Sequence, residues 1–303
     1  MKLIIDTDPG VDDALAIAIA VAHPDIDLLG ITAIFGNTFT TQASRNARYL
    51  LDLFGHDCPV AEGAALPFGA EDFLPSSYVH GEEGLGHITT VPQIGKNSDI
   101  PAAVFLCEMA RKHKGELVIC AIGPLTNIAD AITLDPDFAR NLKQLVVMGG
   151  AFEAPGNITA FAEANIYNDA AAADIVFSSG MNTTMVGLNA TMLTLLTPDD
   201  FTDMAIFSRR VGSFLRDIHK FYLNFYVSVG ITDGCPMHDA TALLACVAPE
   251  RFEWIETGIR VTQEGDARGD TVASKTRPPI SVALSVDAAW AVQEAKRIVA
   301  TYD

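Results

Sequence analysis

Eight residues near the amino terminus, Asp6-Thr7-Asp8-Pro9-Gly10-Val11-Asp12-Asp13, hold four carboxylates, and a fifth follows a histidine at His238-Asp239. Acids at a helix N-terminus interact favourably with its dipole, each by about 0.3–1 kcal/mol. Capping alone accounts for any one of them. Two carboxylates brought to ~4 Å, however, repel by roughly 4 kcal/mol at an effective dielectric of 20. Convergence therefore requires a proton or a cation. Asp12 and Asp13 are consecutive, so on a helix their side chains diverge by about 100°, and one can face a metal while the other faces a substrate. The motif offers oxygen ligands and neither Cys nor His, which suits calcium or magnesium better than zinc.

The apolar pattern predicts the elements that carry these groups. Residues 2–8 form a short apolar strand, 10–21 a helix, 27–35 a second strand and 40–54 a helix. Alternation continues with a strand over 116–122, a helix over 125–134, a strand over 145–148, a helix over 170–177 and a strand over 184–188. Strands that are apolar almost throughout belong in a parallel sheet covered on both faces. The expected fold class is α/β: an open, mostly parallel, Rossmann-like sheet with helices on both faces and a mainly helical C-terminal part. That part reads as helices over 208–229 and 238–247, followed by short strands over 252–261, 270–273 and 280–284 and a last helix from 287. Such sheets bind ligands beyond the carboxyl ends of their strands. Asp6-Thr7-Asp8, Gly36-Asn37, Gly123-Pro124 and Gly149-Gly150 all fall there and should share one rim. Residues 63–99 are rich in Gly and Pro with few apolar runs, a long loop of the sort that serves as a lid. Without repeats or linkers, residues 1–303 read as a single domain.

A net charge of −18 and a pI near 4.6 set up a field that repels phosphate backbones and anionic lipids. No nucleic-acid or membrane partner is expected. The longest strongly apolar stretch, 14–22, is too short to cross a bilayer, and Met1-Lys2 leads into a strand instead of a signal-peptide core; the expected location is cytoplasmic. Five cysteines form no C-x-x-C pair and suit reduced, structural thiols.

The run Asp6 to Ala14 resembles the D-T-D-P-G-x-D-D-A signature of the inosine-uridine nucleoside hydrolase family. Gly36-Asn37, Gly123-Pro124-Leu125-Thr126-Asn127, Met148-Gly149-Gly150, Gly156-Asn157, Glu163-Ala164-Asn165 and His238-Asp239-Ala240 are similar to family motifs and follow in family order. The resemblance implies the nucleoside hydrolase fold, a small-molecule ribonucleoside substrate and a homodimer or homotetramer. It also implies one Ca²⁺ held by Asp8, Asp13, Asp239 and the Ile122 backbone carbonyl. The ribose hydroxyls would be gripped by Asp12, Asn37, Asn157, Glu163, Asn165 and Asp239. Ala164 stands where many members carry Phe, so packing around the sugar should differ.

Breaking a nucleoside's bond to its base through an oxocarbenium-like sugar takes a nucleophilic water, stabilisation of positive charge and help for the leaving base. Calcium activates a bound water less than zinc does, so a carboxylate must take the proton; by similarity to the family, that base is Asp8. A buried site built to hydrogen-bond a hydroxyl rejects analogues lacking it by about 10⁴-fold, so 2′-deoxynucleosides should be poor substrates. His238 is the candidate acid for the base, since imidazole titrates near neutrality. Tyr222 and Tyr226 lie one helical turn apart, for which core packing is the ordinary explanation. By resemblance, Tyr226 and His80 border the base, and both inosine and uridine should be accepted. Two other readings compete. A strand ending in Asp6-x-Asp8 is similar to that of haloacid-dehalogenase-type phosphatases, but that pattern fails at Gly10 and leaves Asp12, Asp13 and His238-Asp239 without a purpose. A ribonucleoside-binding sensor without turnover has the intact Asp8 and His238 against it.

Overall fold

The computed structural model describes residues 1–302. The first half runs β1 (Lys2–Thr7), α1 (Val11–Ala22), β2 (Asp27–Ala33), α2 (Thr40–Phe54), β3 (Val60–Glu62), α3 (Ser77–His80), α4 (Ala102–Lys112), β4 (Leu117–Ala121), α5 (Thr126–Leu134), α6 (Phe138–Asn141) and β5 (Gln144–Met148). It continues with α7 (Ala164–Asn168), α8 (Ala170–Ser178), β6 (Thr183–Val186), α9 (Leu188–Thr191), β7 (Leu195–Leu196), α10 (Pro198–Phe207) and α11 (Val211–Ser228). The last elements are β8 (Cys235–Pro236), α12 (His238–Val247), β9 (Phe252–Val261), β10 (Thr271–Ala273), β11 (Pro279–Val286) and α13 (Ala288–Val299).

Nine strands form one sheet in the order β10-β9-β11-β6-β5-β4-β1-β2-β3. From β11 to β3 every pairing is parallel, and only β9 runs against its neighbours β11 and β10. The mostly parallel α/β sheet expected from the sequence is therefore present. The C-terminal strands extend this same sheet, and β9 and β11, at ten and eight residues, are not the short strands expected.

The strands are apolar on consecutive residues because successive side chains enter different cores. In β1, Leu3 and Ile5 pack with α1, α2 and α12 on one face, whereas Ile4 packs with α4, α5 and α8 on the other. β4 divides likewise, Val118 and Cys120 against Leu117, Ile119 and Ala121. Helix α1 is buried all round over Val11 to Ala20, because α2, α11, α12 and α13 all pack on it. Its alternating alanines permit that close approach. Residues 63–99 contain one short helix, α3, and otherwise no regular element.

The end of the loop nearest the sheet is anchored. Arg45 pairs with Glu83 at 2.6 Å, Asn46 Nδ2 donates to the Glu83 carbonyl at 2.8 Å and to the Pro9 carbonyl at 3.1 Å, and the Gly86 amide donates to the His80 carbonyl at 2.8 Å. The turn that follows His80 is thus tied to α2, and His80 is not carried on a free flap. Leu74, 87% exposed, marks the looser part.

Candidate active site

The carboxyl ends of β1, β2, β4 and β5 meet beneath one cavity of about 290 Å³. β1 stops at Thr7, and Pro9-Gly10 turns the chain into α1, so Asp8, Asp12 and Asp13 project from the strand-to-helix corner. Asp13 does part of what simple capping predicts. Its Oδ1 accepts the Thr7 hydroxyl at 2.5 Å, and its Oδ2 accepts the Gly10 amide at 2.8 Å and Asn37 Nδ2 at 2.9 Å. Asn37 also donates its backbone N–H to Asp8 Oδ2 at 2.7 Å, so one residue after β2 ties two acids together.

Asp8 sits between Gly36 and Gly123, and a Cβ at either glycine would collide with its carboxylate. Its Oδ1 is fully buried with no hydrogen-bond partner, as is Oδ2 of Asp6 two residues before it, and such an atom calls for a water, an ion or a catalytic role. Asp12, Asp13 and Asp239 offer carboxylate oxygens that all lie within 4.8 Å of one another. Asp239 reaches them from the first turn of α12. Asp8 is outside that triple yet close enough to act on it: burial first, then Asp12, Asp13 and Asp8, hold Asp239 far above the ordinary carboxylate range. Burial, with Asp13 and Asp12 nearby, does the same to Asp8. Burial and Asp13 push Asp12 up to about 8. Burial also raises Asp13, against the bonds from Thr7 and Gly10 that lower it. Among the described residues, no Lys or Arg lines the cavity. Four buried acids without a cationic side chain need protons or a metal ion, and an all-oxygen donor set suits a hard cation. Ile122 follows β4 at the same cavity, and its carbonyl accepts Asn165 Nδ2 at 3.0 Å.

The remaining polar residues named from the sequence divide into two groups. On the β5 side, Glu163 caps α7: its Oε1 accepts the Asn165 amide at 2.9 Å, and its Oε2 accepts the Gly150 and Ile166 amides at 3.1 Å each. Burial outweighs these bonds and pushes it up to about 6. Asn157 is exposed, and its Oδ1 accepts the Ala164 amide at 3.0 Å.

On the α11 side stands a hydroxyl and imidazole wall. Tyr222 donates to Asp12 Oδ2 at 3.2 Å, its oxygen lies 3.4 Å from that of Tyr226, and Tyr226 Oη shares a 2.8 Å bond with His238 Nε2. His238 Nδ1 is in turn 2.8 Å from the Thr191 hydroxyl. Burial pulls His238 down to about 4, so its ring is neutral near pH 7. His80 is also neutral, pulled by burial to about 3. Its Nδ1 accepts the Val11 amide at 3.2 Å, which leaves the ring proton on Nε2. Val79, Met192, Phe225, Val229 and Ile231 complete this side with apolar surface.

Every residue named in advance lines the cavity except Asp8 and Asp13, which lie beneath it. Four supporting residues carry no role in the sequence reading. Thr191 orients His238 from the end of α9, Thr7 supports Asp13, and Asn127 Nδ2 donates at 2.8 Å to the same oxygen of the buried Asp6 that the Thr32 hydroxyl bonds. The placement rule for open parallel sheets points to Thr191, since α9 directly follows β6.

Residues 3–293 match the family model described as inosine-uridine preferring nucleoside hydrolase. A probable uridine nucleosidase of Arabidopsis thaliana is 39% identical over 301 residues, spanning 95% of this chain and 94% of that protein. Among solved structures, a plant nucleoside hydrolase superposes with a TM-score of 0.96 at 34% identity, covering 99% of this chain and 98% of that one. A purine-preferring ribonucleoside hydrolase from Gardnerella vaginalis superposes at 0.95, also with 34% identity and the same coverage. Among the described residues, no helix is long and apolar enough to cross a membrane.

Proposed function

Because the chain belongs to the inosine-uridine preferring nucleoside hydrolase family and is a nucleoside hydrolase, we propose that it cleaves the N-glycosidic bond of both inosine and uridine, with calcium as its resident cation and Asp8 as its base. The observation that carries this reading is the opposition, across one cavity, of an uncompensated acid cluster and a chain of neutral proton carriers. The family match favours neither the phosphatase nor the sensor reading.

Asp8, Asp13, Asp239 and the Ile122 carbonyl would hold the cation. When bound, it neutralises the acids and makes a neighbouring water more acidic, calcium less so than zinc. Asp8, whose Oδ1 is buried without a hydrogen-bond partner, takes the proton of the attacking water. Asp12 and Asp239, with Asn37 and Asn165 beside them, accept and donate to the 2′- and 3′-hydroxyls and hold C1′ over that water. Their negative charge also favours the positive charge that develops on the sugar ring. Glu163 and Asn157 meet the rest of the sugar.

Departure of the base calls for a proton on its ring. Burial disfavours charge on both groups, holding His238 neutral near pH 7 and raising the Tyr226 hydroxyl well above its ordinary value, so we assign the donor role to the bonded pair, with the Tyr226 hydroxyl nearest the base, His238 and Thr191 behind it and His80 on the other flank. The apolar surface of Val79, Met192, Phe225, Val229 and Ile231 carries no hydrogen-bonding pattern for one base, which supports breadth. The relatives' names divide the same way, one a uridine nucleosidase and another purine-preferring. Replacing Asp8 by Asn keeps its shape and removes the base; kcat on uridine and inosine should fall by about 10²–10⁴-fold. Unchanged turnover in that variant contradicts the assignment.

A further inference from the structure

We infer that Thr191 is a positioning residue whose buried hydroxyl donates to His238 Nδ1, fixes the imidazole as its Nε2–H tautomer, and so directs the hydrogens of the His238–Tyr226 pair toward the departing base. This deepens the hydrolase reading and rests on it. Thr191 is fully buried at the end of α9 and does not line the cavity, so it acts on the reaction only through His238.

A neutral imidazole carries its proton on one nitrogen, and the bond made at the other nitrogen decides which. Both nitrogens of His238 face hydroxyls, Nδ1 at 2.8 Å from Thr191 and Nε2 at 2.8 Å from Tyr226, and a hydroxyl can donate or accept. Distances alone therefore leave two arrangements. In the first, Thr191 donates to Nδ1 and Nε2–H donates to Tyr226. In the second, Tyr226 donates to Nε2 and Nδ1–H donates to Thr191. Counting hydrogens separates them. Among the described residues, His238 Nδ1 is the one partner of the Thr191 hydroxyl, so the second arrangement buries that hydroxyl's hydrogen without an acceptor, which folded proteins avoid. In the first, Tyr226 keeps its own hydrogen for other use. Tyr222 has committed its hydrogen to Asp12 Oδ2, and the 3.4 Å between the two tyrosine oxygens is longer than a good O–H···O bond. The Tyr226 hydrogen is thus left for a ligand in the cavity that Tyr226 lines.

The local fold holds Thr191 in place. Thr194 Oγ1 donates to the Thr191 carbonyl at 2.9 Å and shares a 2.7 Å bond with Thr241 Oγ1, and the Met237 amide donates to the Thr194 carbonyl at 3.0 Å. The end of α9 is thereby stitched to the first turn of α12, where His238 stands. In the reaction the C1′–N bond breaks with its electron pair leaving on the base, and the Tyr226 proton moves to a base nitrogen. His238 Nε2–H keeps its proton and meets the negative charge left on Tyr226 Oη. The proton that Asp8 took from the attacking water goes to solvent, and solvent returns one to Tyr226.

The test uses the calcium-supplemented protein, with Thr191→Val, which keeps the shape and removes the hydroxyl, and Thr191→Ser, which keeps the hydroxyl. In Thr191→Val, kcat on inosine should fall by about 10–10²-fold, the effect of one hydrogen bond to a charged group, with KM changed by less than about threefold. A riboside of 4-nitrophenolate, which departs without a proton, should lose less than about threefold, and Thr191→Ser should stay within about threefold of the parent on both substrates. Nitrogen-15 spectra of ring-labelled histidine, with the His238 signals identified by their absence from His238→Gln, should show the proton on Nε2 in the parent and in Thr191→Ser. A proton on Nδ1 in the parent overturns the inference whatever the kinetics, including the case in which Thr191→Val fails to fold. Equal losses on inosine and the nitrophenyl riboside, or a Thr191→Ser as slow as Thr191→Val, overturn it and leave the hydrolase reading intact. If the parent cleaves neither inosine nor uridine, the hydrolase reading itself fails and this role falls with it.

Discussion

Adding calcium to chelator-treated protein at pH 7 should expel protons from the acid cluster. The carboxylate oxygens of Asp12, Asp13 and Asp239 lie within 4.8 Å of one another, so each fully charged pair repels by about 3.5 kcal/mol or more at an effective dielectric of 20. Three pairs amount to about 10 kcal/mol. Protonating a carboxyl of ordinary pKa near 3.8 at pH 7 costs about 4.4 kcal/mol, whereas neutralising one member of the triple relieves two pairs, about 7 kcal/mol. The first proton is therefore favourable on repulsion alone. A second relieves only about 3.5 kcal/mol and depends on burial. The metal-free protein should thus carry about one to two protons on the cluster at pH 7, and a divalent cation should displace them. Calorimetric titration of calcium in buffers of different ionisation enthalpy counts the protons directly. The count should be about one or two at pH 7 and fall as the pH rises past about 8, the value to which Asp12 is pushed. Calcium at about 1,000 times its dissociation constant should also stabilise the fold by about 4 kcal/mol. Tight calcium binding with no proton release at pH 7 would refute the reasoning.

Tyr226→Phe removes one hydroxyl at the end of the relay. Turnover of inosine should fall by about 10²-fold, whereas a riboside whose leaving group is 4-nitrophenolate, which departs without a proton, should lose less than about threefold; equal losses on both would show that the hydroxyl serves packing only. His219, buried against Phe201 with its Nδ1 2.7 Å from the Leu215 carbonyl, is pulled by burial down to about 4. Between that value and its unfolded value near 6.5 the unfolded chain binds more protons than the native one, so this group costs stability as pH falls through 6.5. The cost reaches about 2 kcal/mol at pH 5. Urea unfolding of parent and His219→Gln at pH 7.5 and 5 should show the variant gaining on the parent by that amount on acidification, and parallel pH profiles would contradict it.

The parts of the site contiguous in sequence were also the legible ones. Four acids in eight residues pose an electrostatic problem visible without coordinates, and runs such as Leu117–Ala121 can be fully apolar only in a sheet covered on both faces. Helices α2 and α12 and strand β9 kept the bounds read from their apolar pattern, and α2 stops where Gly55 turns left-handed. Other features depended on contacts distant in the chain. His238 reads as an ordinary titrating imidazole until its burial and its bonds to Tyr226 and Thr191 are seen. Tyr222 reads as core and is core, yet its hydroxyl also reaches Asp12. β3 is three residues long, too short for periodicity, and α4 starts after Pro101 without a side-chain cap. Residues 63–99 carry lid-like composition, but the anchoring of His80 relies on Arg45 and Asn46, which nothing in the loop itself announces.

Release of free ribose from uridine, inosine and 2′-deoxyinosine, measured before chelation, after it and after calcium is restored, tests the central claim most directly. The account predicts cleavage of both ribonucleosides, loss on chelation, recovery with calcium, and 2′-deoxyinosine slower by about 10⁴-fold. Ribose release that survives complete removal of divalent cations, or equal cleavage of the 2′-deoxy substrate, would contradict it.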